Sequence, residues 1–425
     1  MRTLRFGSTG PAVELLQLGL ERAGFGPLLQ DGVFGPATRG AVSRFQTVNR
    51  LRADGVAGPA TQQALLPWYT GYVSVRVRPG DSIWALARLY GSSTEAVLLA
   101  NPGVEPENLL PGTALIVPLP FPVVPAKIRW CSSLVAFCVQ GLGARYPFLQ
   151  AGSVGRSVLG KPLWSLRMGR GENRVLYHAE HHANEWITTA LLLRFAEELG
   201  AAAAAGEELA GVPAGEVLDY ASLCLVPAVN PDGMDLVTGE LQSGEAFRSA
   251  RALAERYPRY PFPSGWKANI RGVDLNLQYP ALWELARENK YAQGVVSPAP
   301  ADYVGDAPLT APESRAMAEL TERFDPALTL SWHSQGEVIY WQFQGRAPEG
   351  AREIGEFFAR LSGYALAETP FASDFAGYKD WFLQDFRRPG YTVEVGRGVN
   401  PLPAEDLEEI YGRCRALLTM AALVT

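Results

Sequence analysis

Apolar positions recur with three rhythms along the chain. In the first 66 residues they fall at helical spacing, with Val13, Leu15, Leu16, Leu18 and Leu20 in one run and Ala41, Val42, Phe45 and Val48 in the next. Three short helices in a small bundle are predicted there. Over 72–118 the rhythm changes to that of a β-α-α-β unit: an alternating strand at 72–78, helices at 83–90 and 95–101, and a strand at 114–118. Beyond residue 126 strands and amphipathic helices alternate. Strands are predicted at 174–178, 223–228, 273–275, 328–332, 337–341 and 391–395, and helices at 185–199, 312–324, 351–361, 378–386 and 403–418. That alternation predicts an α/β domain whose mixed, mostly parallel sheet is flanked by helices. In such sheets ligands bind outside the carboxyl ends of the strands.

Turn residues place the boundaries. Asp31-Gly-Val-Phe-Gly-Pro-Ala-Thr38 returns 23 residues later as Asp54-Gly-Val-Ala-Gly-Pro-Ala-Thr61. Each copy is a tight turn followed by a helix with proline near its first position. In the second unit 79–82 turns into a helix capped by Asp81 or Ser82, and Thr94 caps the next. The proline-rich 118–125 predicts a semi-rigid extended linker. The expected division is 1–68, 72–118, a linker over 119–125, and 126–425.

Composition narrows the functional classes. Of 425 residues 47% are hydrophobic and 19% charged, which excludes disorder for most of the chain. The net charge is −6 and no Lys/Arg block occurs, so nucleic acid and polybasic membrane binding are not expected. Four cysteines without a CxxC read as free buried thiols. No stretch approaches the ~20 apolar residues of a membrane span. The first 16 residues hold two arginines but neither an apolar core nor a small-residue cleavage site, so an export signal is not expected.

Only four histidines are present: His178, His181, His182 and His333. His182 and Glu185, three apart at a strand-to-helix turn, can present an imidazole and a carboxylate on one face of a first helical turn. A catalytic zinc wants a third protein ligand and an open position. His333, at the end of the strand 328–332, is the one histidine outside the first cluster. The candidate metal set is therefore His182, Glu185 and His333. Glu394 sits at a strand end in the apolar run Tyr391-Thr-Val-Glu-Val395, which suits a general base better than a structural role.

These motifs resemble three known families. Residues 1–66 resemble a three-helix peptidoglycan-binding domain. Residues 72–118 resemble a LysM domain, through PGDS–W–A, LLANP and LLPGTALIVP. Residues 126–425 resemble the M14 zinc metallocarboxypeptidases: His182-Ala-Asn-Glu185-Trp186 matches HxxEW, Asn230-Pro-Asp-Gly233 matches NPDG, Gly272-Val-Asp-Leu-Asn276 matches GVDLN, Ser334 follows His333, and Glu394 falls at the catalytic glutamate. The chain departs from the family where arginine follows GVDLN and grips a substrate's terminal carboxylate, because Leu277 stands there. The family's substrate-facing tyrosine has no counterpart, and Ala372 takes its slot. With the wall-binding pair in front, the chain is most similar to the γ-D-glutamyl-L-diamino acid endopeptidases of the endopeptidase I type.

That resemblance implies one zinc ion per chain and peptidoglycan glycan and stem peptides as partners. It implies hydrolysis of the bond between γ-D-glutamate and meso-diaminopimelate or lysine. A metallocarboxypeptidase that releases C-terminal residues, and an inactive wall-binding scaffold, are the alternatives. Glu394 is implied as base, with Lys267 or Arg271 as the cation that meets the oxyanion. Asn276, Lys379 and Tyr378 are expected at the substrate. Lys379 occupies the family's specificity position, where an unpaired ammonium would seek a substrate carboxylate. The location expected from such partners is wall-associated or secreted, with the cytoplasm as the alternative for a chain that shows no export signal.

Overall fold

The computed structural model describes residues 2–424, and the side chain of Ala372, with the slot it was assigned, lies outside the described residues. The chain divides into two compact units, one of residues 1–129 and 136–151, the other of residues 130–135 and 152–425.

The first unit begins with the expected bundle, α1 (Pro11–Arg22), α2 (Pro36–Val48) and α3 (Pro59–Thr70). Each helix starts with proline directly after a glycine, where the missing N–H costs nothing. Val13, Leu16, Leu20, Val42 and Leu65 are fully buried between them. The repeated turns have a reason that the turn residues alone do not show. Gln17 Nε2 donates to Asp31 Oδ1 (2.8 Å), the Val33 carbonyl (3.1 Å) and Thr38 Oγ1 (3.1 Å), while its Oε1 accepts from Gly32 N (3.0 Å). Gln46 does the same one repeat later with Asp54 (3.1 Å), Val56 (2.9 Å), Thr61 (3.0 Å) and Gly55 (2.9 Å). A buried amide reads each turn completely.

Strands β1 (Tyr72–Arg76) and β2 (Ala114–Pro118) pair antiparallel around α4 (Ile83–Leu89) and α5 (Thr94–Ala100). Ser82 caps α4 by accepting from Ala85 N at 3.2 Å. The cap of α5 is Ser93 rather than Thr94, because the Ser93 hydroxyl reaches Ala96 N at 3.1 Å and Thr94 is already helical. The proline-rich stretch is not an extended spacer. Leu119, Val123 and Val124 are buried. Arg145 donates to the carbonyls of Gly71 (3.2 Å), Leu119 (2.7 Å) and Phe121 (3.0 Å), and Arg22 to those of Pro122 (2.7 Å) and Val123 (3.3 Å). Bonded carbonyls and buried valines hold the segment against the bundle. Most of α6 (Ser132–Arg145) belongs to this unit too, with Phe137 stacked on Tyr69 at 5.3 Å.

The second unit holds an eight-stranded sheet. Its strands are β3 (Gln150–Arg156), β4 (Pro162–Met168), β5 (Asn173–Ala179), β8 (Ala221–Val226), β9 (Leu328–Ser334), β10 (Val338–Tyr340), β11 (Ala365–Ala367) and β12 (Gly390–Val395); β6 (Glu208–Leu209) and β7 (Val212–Pro213) form a separate short ladder. The sheet order is β11-β10-β12-β9-β5-β8-β4-β3. The central pairs β12/β9, β9/β5 and β5/β8 are parallel, and β10/β12 and β4/β8 are antiparallel. Helices α7 (Ile187–Ala205), α8 (Ala214–Tyr220), α9 (Pro231–Thr238), α10 (Gly244–Ala254), α11 (Trp283–Ala292), α12 (Pro312–Phe324), α13 (Ala351–Ser362), α14 (Tyr378–Trp381) and α15 (Leu407–Met420) surround it. All seven residues of β9 are buried, as expected for a central parallel strand.

Two expectations are corrected here. Residues 273–275 form no strand: the Asp274 side chain accepts from Asn276 N at 3.2 Å and starts a 3₁₀ turn, Leu275–Leu277. Residues 182–186 form a turn ahead of α7 rather than its first helical turn, because the Glu185 carboxylate is drawn toward β9. The four cysteines are buried and form no disulfide among the described residues, as expected.

Candidate metal centre

Parallel pairing brings two distant chain segments to one edge. β5 delivers the turn 180–186 at its carboxyl end, and its neighbour β9 carries His333 as its penultimate residue. Glu185 bridges them, with Oε1 3.0 Å from His182 Nδ1 and Oε2 3.0 Å from His333 Nδ1. The two Nδ1 atoms lie 3.2 Å apart. Ser334 N donates to Glu185 Oε2 at 3.2 Å and holds the carboxylate in place. Each Nδ1 can give a proton to the Glu185 carboxylate, and with both deprotonated the two nitrogens and the carboxylate turn lone pairs toward one point. The donor set is thus complementary to a cation, and two nitrogens with one carboxylate is a catalytic zinc set. The outer nitrogen of His182 lies 3.3 Å from Asp274 Oδ1, which leaves Nδ1 as its ligand atom. Asp274 is fixed in turn by Asp302 N at 3.1 Å.

Electrostatics agree with this arrangement. Burial and Lys267 press His182 down, but the carboxylates of Glu185 and Asp274 outweigh them and push it up to about 9. Burial opposes the charge on Glu185, yet His182 and Lys267 hold it well below the usual range. Glu394, opposite His333 in the β12/β9 register and half-buried, is pushed up to about 8 by burial and then by the Glu185 charge. His178 and His181 are kept neutral by burial. They stand behind the centre, bonded to Ser331 Oγ (2.9 Å) and Tyr279 O–H (2.8 Å).

The two cation candidates part ways. Lys267 Nζ lies 3.6 Å from Glu185 Oε1. Burial works against its charge, but Glu185, Asp274 and Glu394 outweigh it and carry the ammonium up to about 12. Arg271 is not brought to the centre. It is exposed and lines a separate cleft of about 880 Å³ with Val158, Ser249, Tyr303 and Asp306.

The substrate-side expectations fare unevenly. Asn276 is half-buried beside Asp274, and its Oδ1 accepts from Tyr378 N at 3.0 Å. Tyr378 is fully buried; its hydroxyl bonds Thr321 Oγ1 at 2.7 Å and its ring lies 4.0 Å from His178. It supports the centre from behind and is not placed to touch substrate. Lys379 is not an unpaired ammonium. It is 4% exposed, sits 2.5 Å from Asp380 Oδ1, and donates to the Gln342 carbonyl at 2.7 Å. Adjacent Asp374 is pushed up to about 6 by burial and then by Asp380, so the local balance already leans acidic. Leu277 is buried in the core with Tyr279 and Trp381. Ser334 and Asn230, visible in the chain only as motif landmarks, gain roles here: Ser334 N anchors Glu185, and Asn230 clamps the His181 and Ala268 carbonyls.

A His–Glu–His set at the carboxyl ends of a parallel sheet, with a glutamate and a lysine beside it, defines a metal-dependent hydrolase. The chain belongs to the zinc carboxypeptidase family, peptidase M14, whose profile matches residues 137–411. A putative peptidoglycan-binding domain matches 9–65 and a LysM domain 75–118. The γ-D-glutamyl-L-diamino acid endopeptidase 1 of Lysinibacillus sphaericus is 42% identical over 80% of this chain and 97% of its own. The uncharacterized protein YqgT of Bacillus subtilis is 40% identical over 65% of this chain and 72% of its own. Among solved structures, bovine thrombin-activatable fibrinolysis inhibitor shares the fold with a TM-score of 0.54 at 17% identity, covering 69% of this chain and 96% of its own.

Proposed function

We propose that the protein is a zinc peptidase that hydrolyses the bond between γ-D-glutamate and the L-diamino acid of peptidoglycan stem peptides. One observation carries the reading: the match to the L. sphaericus endopeptidase runs through 97% of that enzyme. The residues agree with it. His182, Glu185 and His333 would hold one zinc, which when bound supplies Lewis acidity toward a carbonyl and lowers the pKa of water. Glu394 takes the proton of the attacking water and returns it to the leaving amine. Lys267 offers fixed positive charge to the developing oxyanion. Asn276 borders the substrate. Leu277, apolar and packed in the core, supplies no grip for an ordinary terminal carboxylate, which suits cleavage at an isopeptide-like γ-linkage.

In this reading residues 1–68 and 72–118 bind the glycan and peptide of the wall, 119–125 join them to the enzyme, and 126–425 carry the chemistry. The place of action is the cell wall or material derived from it. No described helix is long and apolar enough to cross a membrane.

The test is digestion of L-alanyl-γ-D-glutamyl-diamino acid tripeptides by the zinc-loaded protein. Release of free diaminopimelate or lysine is expected. Release of C-terminal residues from ordinary α-linked peptides at comparable kcat/KM would overturn the reading in favour of a carboxypeptidase, and no turnover with wall binding would favour a scaffold.

A further inference from the structure

Asn230 and the first turn of α9 touch both halves of the candidate centre. Asn230 is fully buried and caps α9, its Oδ1 accepting from Gly233 N at 3.0 Å. With the oxygen so engaged, the amide nitrogen faces the other way. There Nδ2 donates to the carbonyls of His181 (3.1 Å) and Ala268 (3.1 Å), with the Lys267 carbonyl at 3.5 Å. The first carbonyl immediately precedes the zinc-ligand candidate His182; the others belong to and follow Lys267. Gly233 completes the contact, because a Cβ there would stand 2.6 Å from that of Ala183. Ala183 N donates to the Lys267 carbonyl at 2.9 Å. On its far side the Lys267 segment is held by the Pro300 carbonyl, which accepts from Lys267 N (2.8 Å) and Ala268 N (2.9 Å).

We infer that Asn230 is a positioning residue for Lys267: its carboxamide ties the backbone that carries the ammonium to the turn that carries His182 and Glu185. It touches neither substrate nor metal and acts through that backbone. Losing the two donors takes from the His181 carbonyl its side-chain donor, leaves the Ala268 carbonyl to Trp266 Nε1 alone (2.9 Å), and lets the segment at 267–268 relax from the ligand turn. The ammonium, 3.6 Å from Glu185, then meets the oxyanion at a longer and less constant distance. This inference rests on the reading of Lys267 as the oxyanion's cation.

A double-mutant cycle on the full-length, zinc-loaded protein tests both. Asn230→Ala and Lys267→Ala are made singly and together, and zinc content, thermal transition, kcat and KM are measured on the tripeptide. Asn230→Asp, which keeps the acceptor for Gly233 and removes the donors, runs in parallel and carries the cycle if the alanine variant does not fold. Asn230 variants are expected to keep one zinc per chain, to lose kcat by roughly 10–100-fold, and to change KM by less than about threefold. In the Lys267→Ala background the same change should cost less than about twofold, because the group it positions is gone. An equal loss in both backgrounds, or loss of zinc, would overturn the inference while leaving Lys267 in its role. A Lys267→Ala enzyme with unaltered kcat would overturn that role and the inference with it.

Discussion

Two buried polar clusters in this molecule behave in opposite ways. Around Gln17 and Gln46 nearly identical sets of bonds close on themselves, and every amide hydrogen and carbonyl oxygen finds a neutral or charge-assisted partner. Around Glu185 two imidazole nitrogens face the two carboxylate oxygens at 3.0 Å and lie 3.2 Å from each other, His333 Nε2 has no hydrogen-bond partner among the described residues, and Glu394 is lifted to about 8 by burial and the Glu185 charge. The difference separates fold from function. A satisfied cluster fixes a turn and asks for nothing further. A cluster of ligand-type atoms persists only where its surroundings hold it, here through Asp274, Ser334 N and the clamp at Asn230, and its donor set suits a cation.

The sharpest way to break this contrast is to take away the metal or one of its candidate ligands. Stripping zinc, or Glu185→Ala, should abolish tripeptide hydrolysis by on the order of 10⁴-fold or more. Zinc added back to the stripped wild type should raise the melting transition of the second unit. A Glu185→Ala protein that still binds stoichiometric zinc would show that the set is misassigned. Glu394→Gln follows, with zinc retained and kcat down by roughly 10²–10⁴-fold; activity within tenfold of wild type would remove Glu394 as base. Lys267→Met should cost about 10²–10³ in kcat with KM little changed, measured by initial rates against the same peptide.

Lys379 sharpens the comparison from the other side. Its pairing with Asp380 and Gln342 places it with the satisfied groups, so Lys379→Met should act on stability, by about 3–5 kcal/mol in denaturant titration, through an orphaned buried carboxylate. Substrates with free and amidated carboxylates should then lose equally. Selective loss on the free form would return Lys379 to substrate recognition. The smallest effect expected is Gln46→Leu, which leaves Asp54, Thr61 and the Gly55 amide short of a partner and should cost about 1–3 kcal/mol in the melting of the first unit. Hydrolysis of soluble tripeptide should not change.

Much of this was legible in the chain because the signals are local. Helix α12 was predicted residue for residue, since a proline start and apolar spacing settle it within 13 positions. The helices opened by Gly-Pro turns were equally plain. Helices α8 and α9 were not, being only 7 and 8 residues long, nor were α10 and α11, which flank a loop whose hydrogen bonds run to distant residues such as Pro300 and Tyr303. The proline-rich 118–125 read as a spacer because composition cannot show that Arg22 and Arg145 bond its carbonyls. Lys379 read as a free cation for the same reason: its neighbour Asp380 was in view, but whether two adjacent side chains turn toward one another is a matter of packing.

The chain on its own supplies the candidates for chemistry and their order: a His–Glu pair, a lone distant histidine, a strand-end glutamate and a leucine where an arginine would grip a carboxylate. These are choices of side chain, and side chains are written in the chain. The tertiary structure decided which of them meet. It brought His182 and His333, 151 positions apart, to one edge through the parallel pairing of β5 and β9, set Lys267 3.6 Å from Glu185 while Arg271 lines another cleft, and withdrew Tyr378 and Lys379 into the interior. Distance, burial and partner are properties of the folded whole, and a charge's role follows from them rather than from its position along the chain.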